Sequence, residues 1–384
     1  MMYEWYTIFC GAFFAVFTGV HAALMAGLFL EARRDRRTLR RRGTADSPGG
    51  GSVLVSVVVP FRNEQRRMGA LLAALSAQDY PEREFIFIND RSGDGTGKML
   101  EAFAKKEARV SIITLKENPG PNHKQFALGQ GIQAARGELI LFTDGDCEFG
   151  PGWIRAMKTR MEDSRTGAAI GPVFKKPGGP GFFFLYQCFD HAVRYLYLAA
   201  STGLGAAGGG FGNNLIVKRE TLDAIGGYES VPPSPTEDAA LVSRIREVTG
   251  RGIRSICGTD AAVTTAPEPG WQAFVDQTLR WNNGGLFSPD ITTRCSFTFL
   301  VITISMGMLA LPVVPFLPRL WPLPAAVLLS MSANTIATLL LFGAFLPKAG
   351  AAYIIQTIFT PLYFTFLTIL GLLGFKPAWK SSDT

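Results

Sequence analysis

Three short clusters of acids and amides in this sequence each follow an apolar run. Arg62, Asn63 and Glu64 come after VLVSVVVPF; Asn89, Asp90, Ser92 and Asp94 come after EFIFI; Asp144 and Asp146 come after ELILFT. Asp, Asn, Ser and Gly also build ordinary turns and helix caps, so the first two clusters read equally as loops. The third has a more particular chemistry. Asp144-Gly145-Asp146 sits behind a wholly apolar strand, and Gly145 lets the backbone fold so that both carboxylates face one point. Paired carboxylates at a strand end are hard oxygen ligands, suited to Mg2+ or Mn2+ carrying a diphosphate. Farther on, Thr236-Glu237-Asp238 opens a helical stretch, DAALVSRIREV, where acids also favour the helix dipole. WQAFVDQTLRW (271–281) reads as an amphipathic helix; on its own it fits an interfacial helix with Trp271 and Trp281 in an aromatic belt.

The elements that position these residues follow from periodicity. VLVSVVV (53–59) is a β-branched run that breaks at Pro60; EFIFIND (84–90), VSIITL (110–115) and ELILFT (138–143) are further strands. Helical spacing covers 64–77, with Leu71, Leu72 and Leu75 on one face, then 96–107 and about 123–136. Strands alternating with helices of this length predict βαβ units and a parallel sheet. Ligands of open α/β sheets sit outside the carboxyl ends of the strands, and three of the four strand exits carry the clusters above.

The 384-residue chain is 47% hydrophobic and only 18% charged, which excludes a disordered chain. Five cysteines without a CxxC pair, and three histidines, give no disulfide scaffold or Cys/His zinc site. The mean hydropathy of +0.18 is unevenly spread. Residues 6–30 carry no charge apart from His21, enough for a retained membrane span. The basic stretch after it holds seven arginines against Glu31 and Asp35, five of the chain's seven net positive charges. It reads as a positive-inside anchor that also suits anionic headgroups; no nucleic-acid fold accompanies it, so nucleic acid is not an expected partner. Apolar stretches at 297–317, 321–346 and 352–374 predict two or three further spans, with prolines 312, 315 and 324 kinking or shortening the first two. The expected division is an anchor over 1–31, a basic segment and linker over 32–51, a catalytic domain over 52–290, a membrane region over 291–375 and a tail over 376–384.

The order of the pieces carries a resemblance. A strand then PFRNE, a strand then NDRSGD, a strand then DGD, then TED, then QTLRW resembles the family 2 inverting glycosyltransferases of the GT-A fold over about residues 53–285. HKQFALGQGIQAARGELILFTDGDC and GGGFGNNLIVKRETLDAIGGY extend it. The resemblance implies an α/β, Rossmann-like, mostly parallel GT-A domain flanked by transmembrane helices. It implies that Pro60, Arg62 and Glu64 line a nucleotide pocket, that Asp90 holds the uracil or ribose, and that Asp144 lies near the ribose or donor sugar. Asp146 would ligate the divalent cation, Mg2+ or Mn2+. Asp238 would be the general base, with Glu237 beside it in the substrate site; Lys124 would sit near the donor; Gln277, Arg280 and Trp281 would close over the pyrophosphate and acceptor. One base and no nucleophile implies inversion at the anomeric carbon. Asn89 and Gly129 depart from the family pattern, where aspartate and asparagine are common.

The implied reaction moves a sugar from a nucleotide-sugar, expected to be a UDP-sugar, to a lipid hydroxyl. The implied protein is integral and multi-pass, in a bacterial inner membrane, with its catalytic domain cytoplasmic. Polysaccharide synthesis and an inactive nucleotide-binding module are the other readings. The Gly-rich GLGAAGGGFGNN (203–214) precedes a strand, which excludes a P-loop and suits a loop beside donor and acceptor. GFFFLYQCFDHAVRYLYLA (181–199) fits either a core helix or an amphipathic segment on the bilayer, with Asp190, His191 and Arg194 towards headgroups.

Overall fold

The structure is a computed structural model that describes residues 2–43, 53–179, 181–348 and 350–375. The expected linker at 44–51 and the tail at 376–384 lie outside the described residues. Its elements in chain order are α1 (Met2–Gly43), β1 (Val55–Phe61), α2 (Met68–Ser76), β2 (Arg83–Asp90), α3 (Thr96–Ala104), β3 (Val110–Leu115), α4 (His123–Ala134), β4 (Leu139–Phe142), β5 (Glu148–Phe149), α5 (Trp153–Thr159), β6 (Thr166–Ile170) and β7 (Val173–Lys175). They continue as α6 (Phe182–Gly203), β8 (Leu215–Lys218), α7 (Arg219–Ala224), α8 (Glu237–Thr249), β9 (Gly252–Ser255), β10 (Val263–Thr265), α9 (Trp271–Leu286), α10 (Ile291–Ala310), α11 (Pro322–Phe342) and α12 (Gly350–Leu372). The chain divides into two compact units. One comprises Phe29–Lys176 and Gly205–Ala266; the other comprises Met1–Leu28, Pro177–Leu204 and Pro267–Thr384. Residues 177–204 and 267–290, inside the range expected for the catalytic domain, group with the apolar helices.

In the first unit a seven-stranded sheet runs β3-β2-β1-β4-β8-β6-β9. β1 pairs in parallel with both β2 and β4, and β2 with β3, while β8 is antiparallel to β4 and β6. The sheet is therefore mostly parallel. Its winding reverses beside β1, because β2 and β3 lie on one side of it and β4 on the other. That reversal opens a crevice at the carboxyl edge between β1 and β4. Register puts Phe61 opposite Asn89 and Val58 opposite Phe142, so the three polar exits share this edge. β1 continues through Pro60 to Phe61, where a break was expected. The ladder to β4 stops at Val58, so Pro60 owes no donor on that side. α2 starts only at Met68, because Arg67 and Met68 both donate to the Glu64 carbonyl in a turn that consumes 64–67. Val57, Val59, Phe61, Phe85, Phe87, Leu71 and Trp153 are among the buried residues of the main core.

α1 is one helix through Gly43, with no break where the basic segment begins. Arginine is a good helix former, and Arg34 pairs with Glu31 one turn back at 3.4 Å. Glu31 and Asp35 are buried within the first unit. The Glu31 carboxylate accepts from Arg254 Nε at 2.7 Å and from Ser255 N at 3.0 Å. Asp35 accepts from Arg160 Nε at 2.9 Å and Gly258 N at 2.8 Å, and Arg160 also forks onto Asp260 at 2.6 and 2.8 Å.

The second unit holds the apolar part of α1 together with α6 and α9 to α12. Among the described residues, four helices are long and apolar enough to cross a membrane: Glu4–Arg40, Ile291–Val313, Pro318–Phe345 and Tyr353–Leu372. Pro312 lies in the turn that follows α10 and Pro324 in the first turn of α11, where a missing N–H costs little. Gly27 and Gly203 let α1 and α6 touch: a Cβ on Gly203 would come within 1.9 Å of the Gly27 carbonyl oxygen. α6 is buried from Tyr186 to Val193 and, apart from half-buried residues, on to Gly203. Of the two readings of 181–199, the packed core helix is the one this burial fits.

Candidate active site

The first two strand exits are stapled to each other. Asn63 adopts φ 53° and Arg91 φ 54°, left-handed conformations that turn each chain sharply as it leaves the sheet. Gly93 N donates to Asn63 Oδ1 at 2.9 Å, Gln65 N to Asp94 Oδ2 at 3.1 Å, and Glu64 N to Thr96 Oγ1 at 2.9 Å. Asp90 is buried at the end of β2. Its carboxylate accepts from Arg91 Nε at 2.8 Å and Asn118 Nδ2 at 3.0 Å, and Arg62 lies 3.7 Å away. Glu64 pairs with Arg67 at 2.8 Å, and Pro60 is half-buried.

The centre of the site is an ammonium. α4 begins at Asn122, whose side chain caps Gln125 N at 3.0 Å and donates to the Ser234 carbonyl at 2.6 Å. Gln125 Nε2 holds the Val231 carbonyl at 2.9 Å. Together they bind the turn-rich 231–236 loop, and hence the start of α8, to the first turn of α4. Lys124 consequently reaches Asp144 at 2.9 Å and Glu237 at 3.2 Å. Burial pulls the Lys124 ammonium down, but the Asp144, Glu237 and Asp238 carboxylates reverse this and hold it well above its ordinary value. Burial pushes the Glu237 carboxyl up; Lys124 opposes this and Asp238 adds to it.

Asp146 and Asp238 stand apart. Asp146 Oδ2 accepts from Thr265 Oγ1, at the end of β10, at 3.0 Å. Asp238 Oδ2 accepts from Gly212 N at 2.7 Å, and Oδ1 from Ala239 N at 2.8 Å. Neither forms an ion pair with a described basic residue. The Gly-rich loop lies directly on Asp238: a Cβ on Gly210 would come within 2.8 Å of its Cβ and one on Gly212 within 3.1 Å. Gly145 is needed for close approach rather than for unusual dihedrals. Its Cβ would meet Glu64 at 3.0 Å and Phe61 at 3.1 Å, while its φ is not among the positive ones. Beneath, buried Asn214 accepts from Trp153 Nε1 at 3.0 Å and donates to the Pro172 and Ala261 carbonyls at 3.0 and 2.8 Å, which fixes the end of the glycine loop. Asn118, Asn214 and Thr265 were not singled out by sequence; only their strand-end or loop setting hinted at them.

Among the described residues no three His, Cys, Asp or Glu side chains converge as a metal cage. One carboxylate held by a hydroxyl suits a cation that arrives with a diphosphate, since Mg2+ usually takes one or two carboxylates plus phosphate oxygens.

Gln277, Arg280 and Trp281 lie on α9 in the other unit. Gln277 donates to Glu268 at 2.7 Å, and Arg280 is half-buried. The Arg194 guanidinium stacks over the Trp281 ring at 5.0 Å while its Nε donates to Asp190 at 2.7 Å. Asp190 and Arg194 therefore engage each other, and Arg194 also engages Trp281.

An open, mostly parallel sheet with acids at its switch point defines a nucleotide-binding α/β domain, and the known proteins narrow it. Residues 56–226 match the Glycosyl transferase family 2 model. The probable glycosyltransferase YdaM of Bacillus subtilis is 25% identical over 247 residues, 61% of this chain and 55% of that protein. The beta-monoglucosyldiacylglycerol synthase of Trichormus variabilis is 24% identical over 198 residues, 51% of this chain and 42% of that protein. The dodecaprenyl-phosphate galacturonate synthase of Rhizobium johnstonii is 33% identical over 134 residues, 34% of this chain and 38% of that protein. The chain spans about half the length of the curated relatives it matches. Among solved structures, the mannosyltransferase PcManGT from Pyrobaculum calidifontis, in complex with GDP-Man and Mn2+, aligns with TM-score 0.53 at 20% identity over 94% of this chain and 99% of that one. Residues 56–226 are thus similar to glycosyltransferase family 2, and the fold is GT-A-like.

Proposed function

We propose that this protein transfers a sugar from a nucleotide-sugar to a hydroxyl of a lipid, by single displacement with Asp238 as general base. The observation that carries the reading is the division of the acids. Lys124 pairs directly with Asp144 and Glu237, and Asp90 has Arg91 and Arg62, whereas Asp146 and Asp238 accept hydrogen bonds only from neutral donors. A general base and a cation ligand each need a carboxylate oxygen that no directly bound cation occupies, and Asp238 meets this although Lys124 lies within its electrostatic reach. On this reading the Asp238 carboxylate takes the acceptor proton, the freed oxygen attacks the anomeric carbon, and the diphosphate leaves from the opposite face with inversion. Gly212 N–H holds the Asp238 carboxylate in place. Asp146, held by Thr265, would bind Mg2+ or Mn2+, which supplies positive charge to the leaving diphosphate when bound. Arg62, Glu64, Pro60 and Asp90 border the nucleotide side; the roles implied for Lys124, Gln277, Arg280 and Trp281 belong to the same proposal.

Four helices among the described residues that are fit for a membrane, and relatives whose names specify diacylglycerol and dodecaprenyl phosphate, support a lipid acceptor and a multi-pass membrane protein. The arginines that follow the first span support a cytoplasmic catalytic domain. The test uses the full chain in proteoliposomes with UDP- and GDP-sugars, Mn2+ or Mg2+, and membrane lipid extract. We expect nucleoside diphosphate release coupled to a glycolipid of inverted configuration, and a loss of about 10²–10⁴-fold in kcat for Asp238→Asn. A sugar polymer as product would replace the lipid reading; no diphosphate release with any donor, or an unchanged Asp238→Asn variant, would remove the catalytic one.

A further inference from the structure

We propose that one face of α1 beyond its apolar segment is a docking surface for anionic phospholipid headgroups. Arg33, Arg36, Arg37 and Arg40 recur at the three- and four-residue spacing of one helix face, and all four are exposed. None of them pairs with a described residue. The opposite face carries Glu31, Ala32 and Asp35, all buried. These acids are held by Arg254, Ser255, Arg160 and Gly258, so the helix cannot rotate to hide its arginines without breaking buried ion pairs. Every acid of the segment is thus consumed on the inner side, and the outer side is purely cationic.

The occupant follows from continuity and charge. The arginine face belongs to the same helix as a stretch long and apolar enough to span a membrane. At about 1.5 Å per residue, Arg33 lies only about 4–5 Å along the axis from the last apolar residue, Leu30, and Arg40 about 15 Å. A headgroup layer is about 5–7 Å deep on each side of the hydrocarbon, and surface charge is felt over about 8–10 Å at physiological salt. Arg33, Arg36 and Arg37 fall inside that range; Arg40 sits at its limit. Guanidinium groups present several N–H donors to phosphate oxygens, which a zwitterionic surface rewards far less.

The test does not read glycosyl transfer, so it stands or falls separately from the proposed activity. The full chain is purified in micelles containing equal phosphatidylglycerol and phosphatidylcholine, and retained lipids are counted by native mass spectrometry. The wild type is expected to hold at least threefold more phosphatidylglycerol than phosphatidylcholine. The quadruple R33Q/R36Q/R37Q/R40Q variant is expected to lose that preference, and the corresponding quadruple lysine variant to keep it. Among single glutamine variants, R33Q should lose most and R40Q least. Absence of a preference in the wild type, its persistence in the glutamine variant, its loss in the lysine variant, or retention of RNA in place of phosphatidylglycerol would overturn the proposal.

Discussion

The buried pairing of α1 with the catalytic unit makes a sharp energetic prediction. The Arg160 and Asp35 side chains are each 2% exposed, while Asp260 is 42% exposed. Arg160→Met removes the guanidinium and leaves Asp35 buried with Gly258 N–H as its remaining donor. Breaking a buried pair from one side costs about 3–5 kcal/mol. For a unit of this size, about 2–4 °C is lost per kcal/mol, so the transition should fall by roughly 6–20 °C. Asp35→Asn is milder, because Arg160 keeps its fork onto the solvent-screened Asp260; about 1.5–3 kcal/mol is expected for the lost charged hydrogen bonds. The decisive variant is the double D35L/R160M. It strands no charge inside, only the Gly258 N–H, so it should be more stable than R160M alone. The assay is thermal unfolding followed with a thiol-reactive dye. Cys147 is buried, and burial together with the Asp146 and Asp144 carboxylates pushes its thiol up, so it stays silent until the unit opens; exposed Cys295 and half-buried Cys257, which adjoins Gly258, are replaced by serine in every protein compared. A double variant no more stable than R160M would refute the argument that the stranded carboxylate is the source of the loss.

Three further outcomes follow from single contacts. Thr265→Val, which removes the hydroxyl on Asp146, should raise the Mn2+ concentration for half-maximal activity severalfold, with Thr265→Ser restoring it, as read from metal titrations of turnover. Gly203→Ala should lower the yield of folded protein sharply, since its Cβ would lie 1.9 Å from the Gly27 carbonyl oxygen, whereas Gly19→Ala, with nothing within 4 Å, should be silent in thermal stability and yield. Burial raises the Glu84 carboxyl, but hydrogen bonds from Ser56 at 2.6 Å and Arg136 at 2.7–2.9 Å outweigh it and hold it below the usual carboxylate value. The stability difference between wild type and Glu84→Gln should therefore be complete above about pH 4.3, the usual unfolded value, and vanish as pH falls through the lower folded value, as measured by denaturant unfolding across pH.

The parallel half of the sheet was legible because buried parallel strands are continuous apolar runs, as 53–59, 84–90 and 138–143 are, while the edge strand 110–115 shows through its β-branched residues. Their polar exits fell on one edge because parallel strands share a direction, so Asp90, Arg62 and Asp144 could be grouped without coordinates. The antiparallel β8 was also signalled, by NLIVK after the glycine loop. The partnership of Lys124 with Glu237 was not. It depends on Asn122 and Gln125 binding a loop more than a hundred residues downstream, and no local pattern encodes that. The pairing of α1 was concealed for another reason. Net charge sums signs and discards faces, so Glu31 and Asp35 were subtracted from the arginines around them. A helical reading of 31–40 separates the two acids from the arginine face, and that signal was present in the sequence.

The same residue type does three different jobs in this chain, and its surroundings decide which. Asp35 and Glu31 are structural, because they are buried and held by arginines and backbone N–H groups. Asp144 and Glu237 share one lysine as their direct ion-pair partner. Asp146 and Asp238 face only neutral donors, and on the proposed reading that leaves them to meet a cation and a hydroxyl proton. The first and third jobs are also joined through the backbone. Gly258 and Asp260, which hold Asp35 and Arg160, lead directly into β10, and β10 ends in the threonine that orients Asp146. The helix that emerges from the apolar segment is thus fixed to the strand that sets the carboxylate at the catalytic edge. The segment 258–265 holds both the buried ion pair of Asp35 and the hydroxyl that fixes the Asp146 carboxylate.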